Sequence, residues 1–228
     1  MNQSRALDPV GSTRPDAPSE PGTREAEILA AIRRAFAAKG FDGASMQYLA
    51  REAGMSVGNF YRYFPSKAAM VEAMILADLA GIEAEFALIA TAPAPLEALR
   101  AALHGKITQR DMGCDDPQIW AEITATALRK PEIAAIVARM EGEIAGYLTR
   151  AMALSLGIAP EEAARRFASH ARALILLVKG NATEAQLGGA ASGELTALLL
   201  RMTDALIDEI AANLPGPAGA KPPAGLED

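Results

Sequence analysis

Residues 45–67 read SMQYLAREAGMSVGNFYRYFPSK and gather hydroxyl, amide and ammonium donors within a short span. Tyr61, Tyr63 and Lys67 can donate to phosphate oxygens, contacts that position a nucleic acid without reading its sequence. Asn59 can bond adenine through two hydrogen bonds, and Val57 can touch a thymine methyl. Gly58 has no side chain, so backbone can approach a groove floor there. Ser45 offers a hydroxyl together with a helix N-terminus, a natural seat for a phosphate. Each residue also has a local reading: Asn59 as a cap or a solvated amide, Lys67 as an ordinary surface lysine, the tyrosines as packing. Alternate helical residues fall on different faces, so at least one of Tyr61 and Tyr63 has to be exposed. Phe60 and Phe64, spaced i and i+4, belong to a core. Arg62 reads equally as a phosphate contact or a solvated charge.

The elements that must hold these groups are two short helices and the start of a third. Ser45 caps the first helix, and Met46, Leu49, Ala50 and Ala53 give it one apolar face. Gly54 supplies the left-handed residue that ends it, and Ser56 caps the next helix, residues 57–64. Two helices so closely joined must cross steeply, as in a helix-turn-helix. The second is too short to be stable alone. Residues 24–39 form a preceding amphipathic helix with Ile28, Leu29, Ile32, Ala35 and Phe36 on one stripe. Gly40 stops it, and Phe41 is expected to fold back onto the stripe. These three helices are expected to form a small head with its own core.

Half of the 228 residues are hydrophobic but only 5% are aromatic, and Ala and Leu dominate, which favours packed helices over strands. The net charge of −6 is unevenly spread. Residues 24–67 hold seven basic and four acidic residues, a net +3, whereas residues 1–23 are at −1 and residues 68–228 carry −8. The chain is a basic module on an acidic body. No run approaches the roughly 18 apolar residues of a membrane span, and no signal core is present, so a cytoplasmic protein without membrane partner is expected. One cysteine, Cys114, excludes an intrachain disulfide, and with His104 and His170 far apart no metal site or cofactor is expected.

The rest reads as an all-α chain of about nine helices. Residues 1–23 and 215–228 are Pro-, Gly- and Ser- or Ala-rich tails, expected to be disordered. Residues 24–67 are the head and 68–214 the body. A long helix to about residue 89 carries Val71, Ile75, Leu79, Ile82, Phe86 and Ile89. Further helices are expected over residues 96–109, 118–129, 132–156, 160–178 and 194–213. Pro160 opens the fourth of these, Gly180 stops it, and residues 181–193 form a loop that includes the cap Ser192.

The phrase LAREAGMSVGNFYRYFPSKAAMV resembles the TetR family of bacterial transcriptional regulators, specifically over residues 26–71. The resemblance implies a homodimer that binds palindromic double-stranded operator DNA and is released by a small molecule bound in the body. By position, Ser45 and Gln47 match contacts at the start of the first helix of the motif. Val57, Gly58 and Asn59 match positions facing base edges. Tyr61, Tyr63 and Lys67 match backbone-binding positions, and Ser56 joins the DNA-binding set as the cap of the recognition helix.

A head of only +3 neutralises few phosphates, which is an independent reason to expect two heads on one duplex. A dimer surface is expected on the last two long helices, from Phe167, Ala171, Leu174 and Val178 together with Leu195, Leu199, Met202 and Leu206. An effector pocket, mostly apolar, is expected among Phe86, Met112, Trp120, Ile123, Tyr147, Met152 and His170. Its occupant would shift helix 66–89 and so change the separation of the two heads, which must match grooves about 34–36 Å apart. Repression is the expected outcome, with activation the variant within the family. The other class is a helical protein whose head docks on a protein; such a helix would expose apolar anchors at i, i+4 and i+7, unlike residues 58–63. No Ser/His/Asp set, phosphate-cradling Gly loop or metal cluster points to an enzyme.

Overall fold

The computed structural model of the chain describes residues 21–110, 117–189 and 192–214. Those residues form nine α-helices and no strand. In order they are α1 (Pro21–Gly43), α2 (Met46–Glu52), α3 (Val57–Tyr63), α4 (Lys67–Thr91) and α5 (Pro95–Gln109), followed by α6 (Pro117–Ala127), α7 (Pro131–Leu156), α8 (Pro160–Gln186) and α9 (Gly193–Ala211). No helix among the described residues is long and apolar enough to cross a membrane. Residues 1–20 and 215–228, with Met112 and Cys114, lie outside the described residues.

Local chemistry sets most boundaries. Proline opens α5, α7 and α8, where its missing N–H costs nothing. The same logic corrects the start of α1: residues 21–23, read as tail, are its first turn, opened by Pro21. Gly40 breaks α1 at φ 70°, ψ 164°, a region essentially restricted to glycine, and a last turn follows. Phe41 does fold back, stacking on Phe36 at 5.4 Å between ring centroids.

A second expected boundary is overturned. Gly180 does not stop α8, which runs on to Gln186, and Asn181 is buried in the helix rather than in a loop. Glycine costs a helix interior only about 1 kcal/mol relative to alanine, and contacts on both sides outweigh that. Lys179 pairs with Glu141 of α7, the Asn181 amide donates to the Ile107 carbonyl at 2.8 Å, and Glu184 pairs with Arg110 at 2.5 Å. Asn181 thereby satisfies a carbonyl at the C-terminal end of α5.

The head does not have a core of its own. Ile28, Ile32, Phe36, Leu49 and Phe60 are continuous with Met70, Met74 and Leu79 of α4, Ile119 and Ile123 of α6, and Ile133 and Met140 of α7. Three helices, two of them of only 7 residues, have too little apolar surface to close a core alone, so they borrow the N-terminal parts of α4 and α7 and the side of α6. A second core, formed by Leu99, Leu148, Met152, Phe167, Leu174, Ile207 and others, joins α5, α7, α8 and α9. Helix α7 runs between the two and packs on α4, α5, α6 and α8.

Candidate functional site

The turn between α2 and α3 is built by hydrogen bonds that the sequence dictates. Ser45 Oγ accepts from Tyr48 N–H at 3.1 Å, and Ser56 Oγ accepts from Asn59 N–H at 3.4 Å. Gly54 sits at φ +65°. The Met55 N–H donates to Ala50 O and the Gly54 N–H to Arg51 O, the paired bonds of a Schellman motif that close α2. Phe60 is fully buried and tilts against buried Phe64 at 5.6 Å, which fixes the rotation of α3 on the core.

That rotation decides what α3 shows to the outside. Val57, Tyr61 and Tyr63 are 41%, 47% and 57% exposed, and Ser56, Gly58 and Asn59 are exposed with them, as are Ser45 and Gln47 on α2. Both tyrosines therefore face outward. Among the described residues a Cβ added to Gly58 would meet nothing within 4 Å, so none of them requires glycine there. Arg51, one turn from Gln47, is exposed and lies over the Tyr48 ring at 5.1 Å, a basic contributor to this face that sequence reading did not single out.

Lys67 is placed differently from the other candidates. Its ammonium donates to Phe41 O at 2.6 Å and Asp42 O at 3.2 Å and lies 5.3 Å from the Phe41 ring centroid. Burial pushes its pKa down from the ordinary lysine value, partly offset by Asp42. Two of its three donors thus tie the end of α1 to the start of α4.

A cavity partly open to solvent lies between α4, α5, α6, α7 and α8. Its wall is largely apolar: Leu79, Ile82, Phe86, Leu103, Trp120, Met140, Ile144, Leu148, Leu174, Ile175 and Val178. Four charged residues also line it, and each is engaged with a charge of opposite sign. Asp78 accepts from Arg33 at 2.6 Å, Lys106 pairs with Glu85 at 2.9 Å, and Glu141 pairs with Lys179 and with Arg172. Burial alone would raise the Glu141 carboxyl, but Lys179 and Arg172 hold it below the ordinary value.

Of the expected pocket residues, Phe86 and Trp120 line this cavity, and Tyr147 stacks on Phe86 at 5.5 Å without lining it. Ile123 and Met152 are buried in the two cores, and His170 turns to Glu209 at 3.4 Å and the Phe167 ring, so these three are corrected to packing positions. Met112 is outside the described residues. The expected dimer stripe is likewise divided. Phe167, Ala171 and Leu174 are buried within this chain against α9 and α7, and Val178 lines the cavity. Leu195, Met202, Leu198 and, on α8, Leu176 are exposed, while Leu199 and Leu206 are half-buried. Periodicity identifies an apolar face but not the neighbour that covers it, which is why Leu176 escaped notice.

An all-α chain with a capped helix-turn-helix at one end and an apolar cavity in its body defines the class of helix-turn-helix regulators. The family described as bacterial regulatory proteins, tetR family, matches residues 28–74. The HTH-type transcriptional regulator UidR of Escherichia coli K12 is 29% identical over 129 residues, covering 55% of this chain and 62% of UidR. The HTH-type transcriptional repressor KstR2 of Mycolicibacterium smegmatis is 34% identical over 86 residues, 37% of this chain and 42% of KstR2. The chain thus aligns with less than two thirds of the length of these curated relatives. The Salmonella enterica GusR structure superposes with a TM-score of 0.62 at 25% identity, covering 83% of this chain and 98% of GusR. The chain is thus similar to TetR-family bacterial regulators, in sequence over residues 28–74 and in fold over most of its length.

Proposed function

We propose that this protein is a ligand-responsive transcriptional repressor that binds palindromic operator DNA as a homodimer and is released by a small apolar molecule. The observation that carries the reading is the face of α2 and α3: Phe60 and Phe64 are buried, so Val57, Gly58, Asn59, Tyr61 and Tyr63 are all left outward. In this reading α3 lies in the major groove with Val57, Gly58 and Asn59 at base edges. Tyr61, Tyr63, Ser45, Gln47 and Ser56 meet the phosphates, and Lys67 adds its remaining donor while bracing the head. Residues 24–67 act as the DNA-binding head and residues 68–214 as the effector-binding and dimerisation body, working in the cytoplasm.

The dimer forms through the exposed apolar side chains of α8 and α9, Leu176, Leu195, Leu198 and Met202, extended by the half-buried Leu199 and Leu206. The effector is small and apolar because the cavity wall is apolar and its charges are already paired; a charged ligand would have to break one of those pairs. Repression is supported by KstR2, whose name makes it a repressor. The test is fluorescence anisotropy on the protein's own upstream DNA against a scrambled duplex, across salt. Tight binding of two chains per site with a steep salt slope is the expected result. Equal, weak binding to both duplexes, and to duplexes selected from a random pool, would overturn it.

A further inference from the structure

We propose that Glu122 is the positioning residue through which the pocket governs the DNA-facing head, by carrying a displacement of α6 to the kinked end of α1. The proposal rests on the ligand-responsive reading above and adds the route.

Helix α6 has two duties within eleven residues. Trp120 lines the cavity, and Glu122 Oε1 accepts the backbone N–H of Phe41 at 2.6 Å. Residues two apart on a helix point about 200° away from each other, so one side of α6 meets the ligand space and the other holds the head. The bond falls at the weakest point of α1. Gly40 breaks the helix there, so the Phe41 N–H takes a side-chain acceptor from another helix, and a Cβ on Gly40 would lie only 3.3 Å from the same Oε1. A charged acceptor on a backbone donor is directional, and it transmits a small shift that apolar contacts would absorb by sliding.

From Phe41 the connection continues to the DNA-facing helices. The Phe41 carbonyl accepts from Lys67, the first residue of α4, which follows α3 after a three-residue connection. Asp42 also pairs with Lys130, just beyond α6, at 2.8 Å, an exposed and therefore weaker link to the same segment. The helix itself has reason to move. Trp120 Nε1 and Thr126 Oγ1, both on α6, are buried without a hydrogen-bond partner among the described residues, so a displacement that satisfies either is favoured. The competing route runs through α4, where Asp78 lines the cavity and holds Arg33 of α1.

The experiment uses the full chain and N-phenyl-1-naphthylamine, a neutral apolar dye. Trp120 is the sole tryptophan, so energy transfer from it to the dye reports occupancy of the cavity. Hydrogen–deuterium exchange is then compared with and without dye, in α6 and in residues 40–64. In the wild-type chain the dye changes exchange in both regions. In Glu122→Ala the dye binds with affinity within about threefold of wild type, since Glu122 is not in the wall, and the α6 response persists while the head response is lost. Glu122→Gln, which keeps an acceptor oxygen, restores the head response in part, a recovery that a merely structural role would not tie to the dye. A full head response in dye-bound Glu122→Ala would overturn the proposal in favour of the α4 route. Dye bound to the wild-type chain without any head response would overturn it too. Absence of energy transfer in the wild-type chain would instead overturn the apolar-pocket reading, and the proposal with it.

Discussion

Arg33 of α1 and Asp78 of α4 meet at 2.6 Å with side chains 12% and 9% exposed, and Arg33 also donates to Met74 O at 3.0 Å. Replacing Arg33 by alanine removes the guanidinium from a buried carboxylate and leaves a carbonyl short of a donor. Breaking a buried pair from one side costs about 3–5 kcal/mol, several times a surface ion pair. For a chain of this size each kcal/mol moves the thermal midpoint by about 2–4 °C, so Arg33→Ala is expected to lower it by about 6–20 °C. The loss should be nearly the same at low and high salt, because ions do not reach a buried pair. The double substitution Arg33→Met with Asp78→Leu should recover most of the midpoint, since an apolar pair of similar volume replaces a buried ion pair at little cost. Thermal melts followed by far-UV circular dichroism measure all three. A fall below about 2 °C for Arg33→Ala, or a double variant no better than the single, would refute the reasoning that burial makes this pair costly to break.

Four further expectations concern the site and its supports. Gly40→Ala forces a Cβ into a glycine-only conformation beside Glu122 and should cost about 1–3 kcal/mol; equilibrium urea unfolding with an unchanged midpoint would show that the kink relaxes freely. Asn59→Ala should relax sequence preference on a panel of base-substituted operators, and an unaltered preference would remove Asn59 from base reading. Lys67→Ala should weaken binding to every duplex and also lower the thermal midpoint, because its ammonium holds Phe41 O and Asp42 O; a pure phosphate contact would leave the midpoint where it was. Asp204 is held below its ordinary 3.8, chiefly by the Arg100 hydrogen bond and then by His104. A depressed carboxylate contributes stability above that value and loses it as pH falls through the lower folded-state value. Melts of Asp204→Asn should therefore decline less steeply than wild type below about pH 4, and parallel curves would disprove the linkage.

Much of the head was legible without coordinates because its determinants are local. Ser45, Ser56 and Ser192 cap the helices they precede, and Gly54 adopts the left-handed turn that ends α2. Phe60 and Phe64 go inward because an i, i+4 pair shares a face, and the residues between them follow. Nine helices, with proline at several starts, follow from spacing and breakers in the same way.

What only tertiary structure decided is which neighbour each apolar face meets. The stripe of Phe167, Ala171 and Leu174 is a valid helical face, but it is spent inside the chain, and the outward apolar residues lie one step round the helix at Leu176 and across on α9. Gly180 has the propensity of a stop signal, yet Lys179, Asn181 and Glu184 find partners on α7 and α5, and their sum exceeds the modest cost of an internal glycine. Lys67 turned from a plain cation into a brace because Gly40 bends two carbonyls into its reach. The polar link from Glu122 to Phe41 spans 81 residues of sequence, a separation at which spacing carries no information and only the packing of α6 on α1 brings donor and acceptor together.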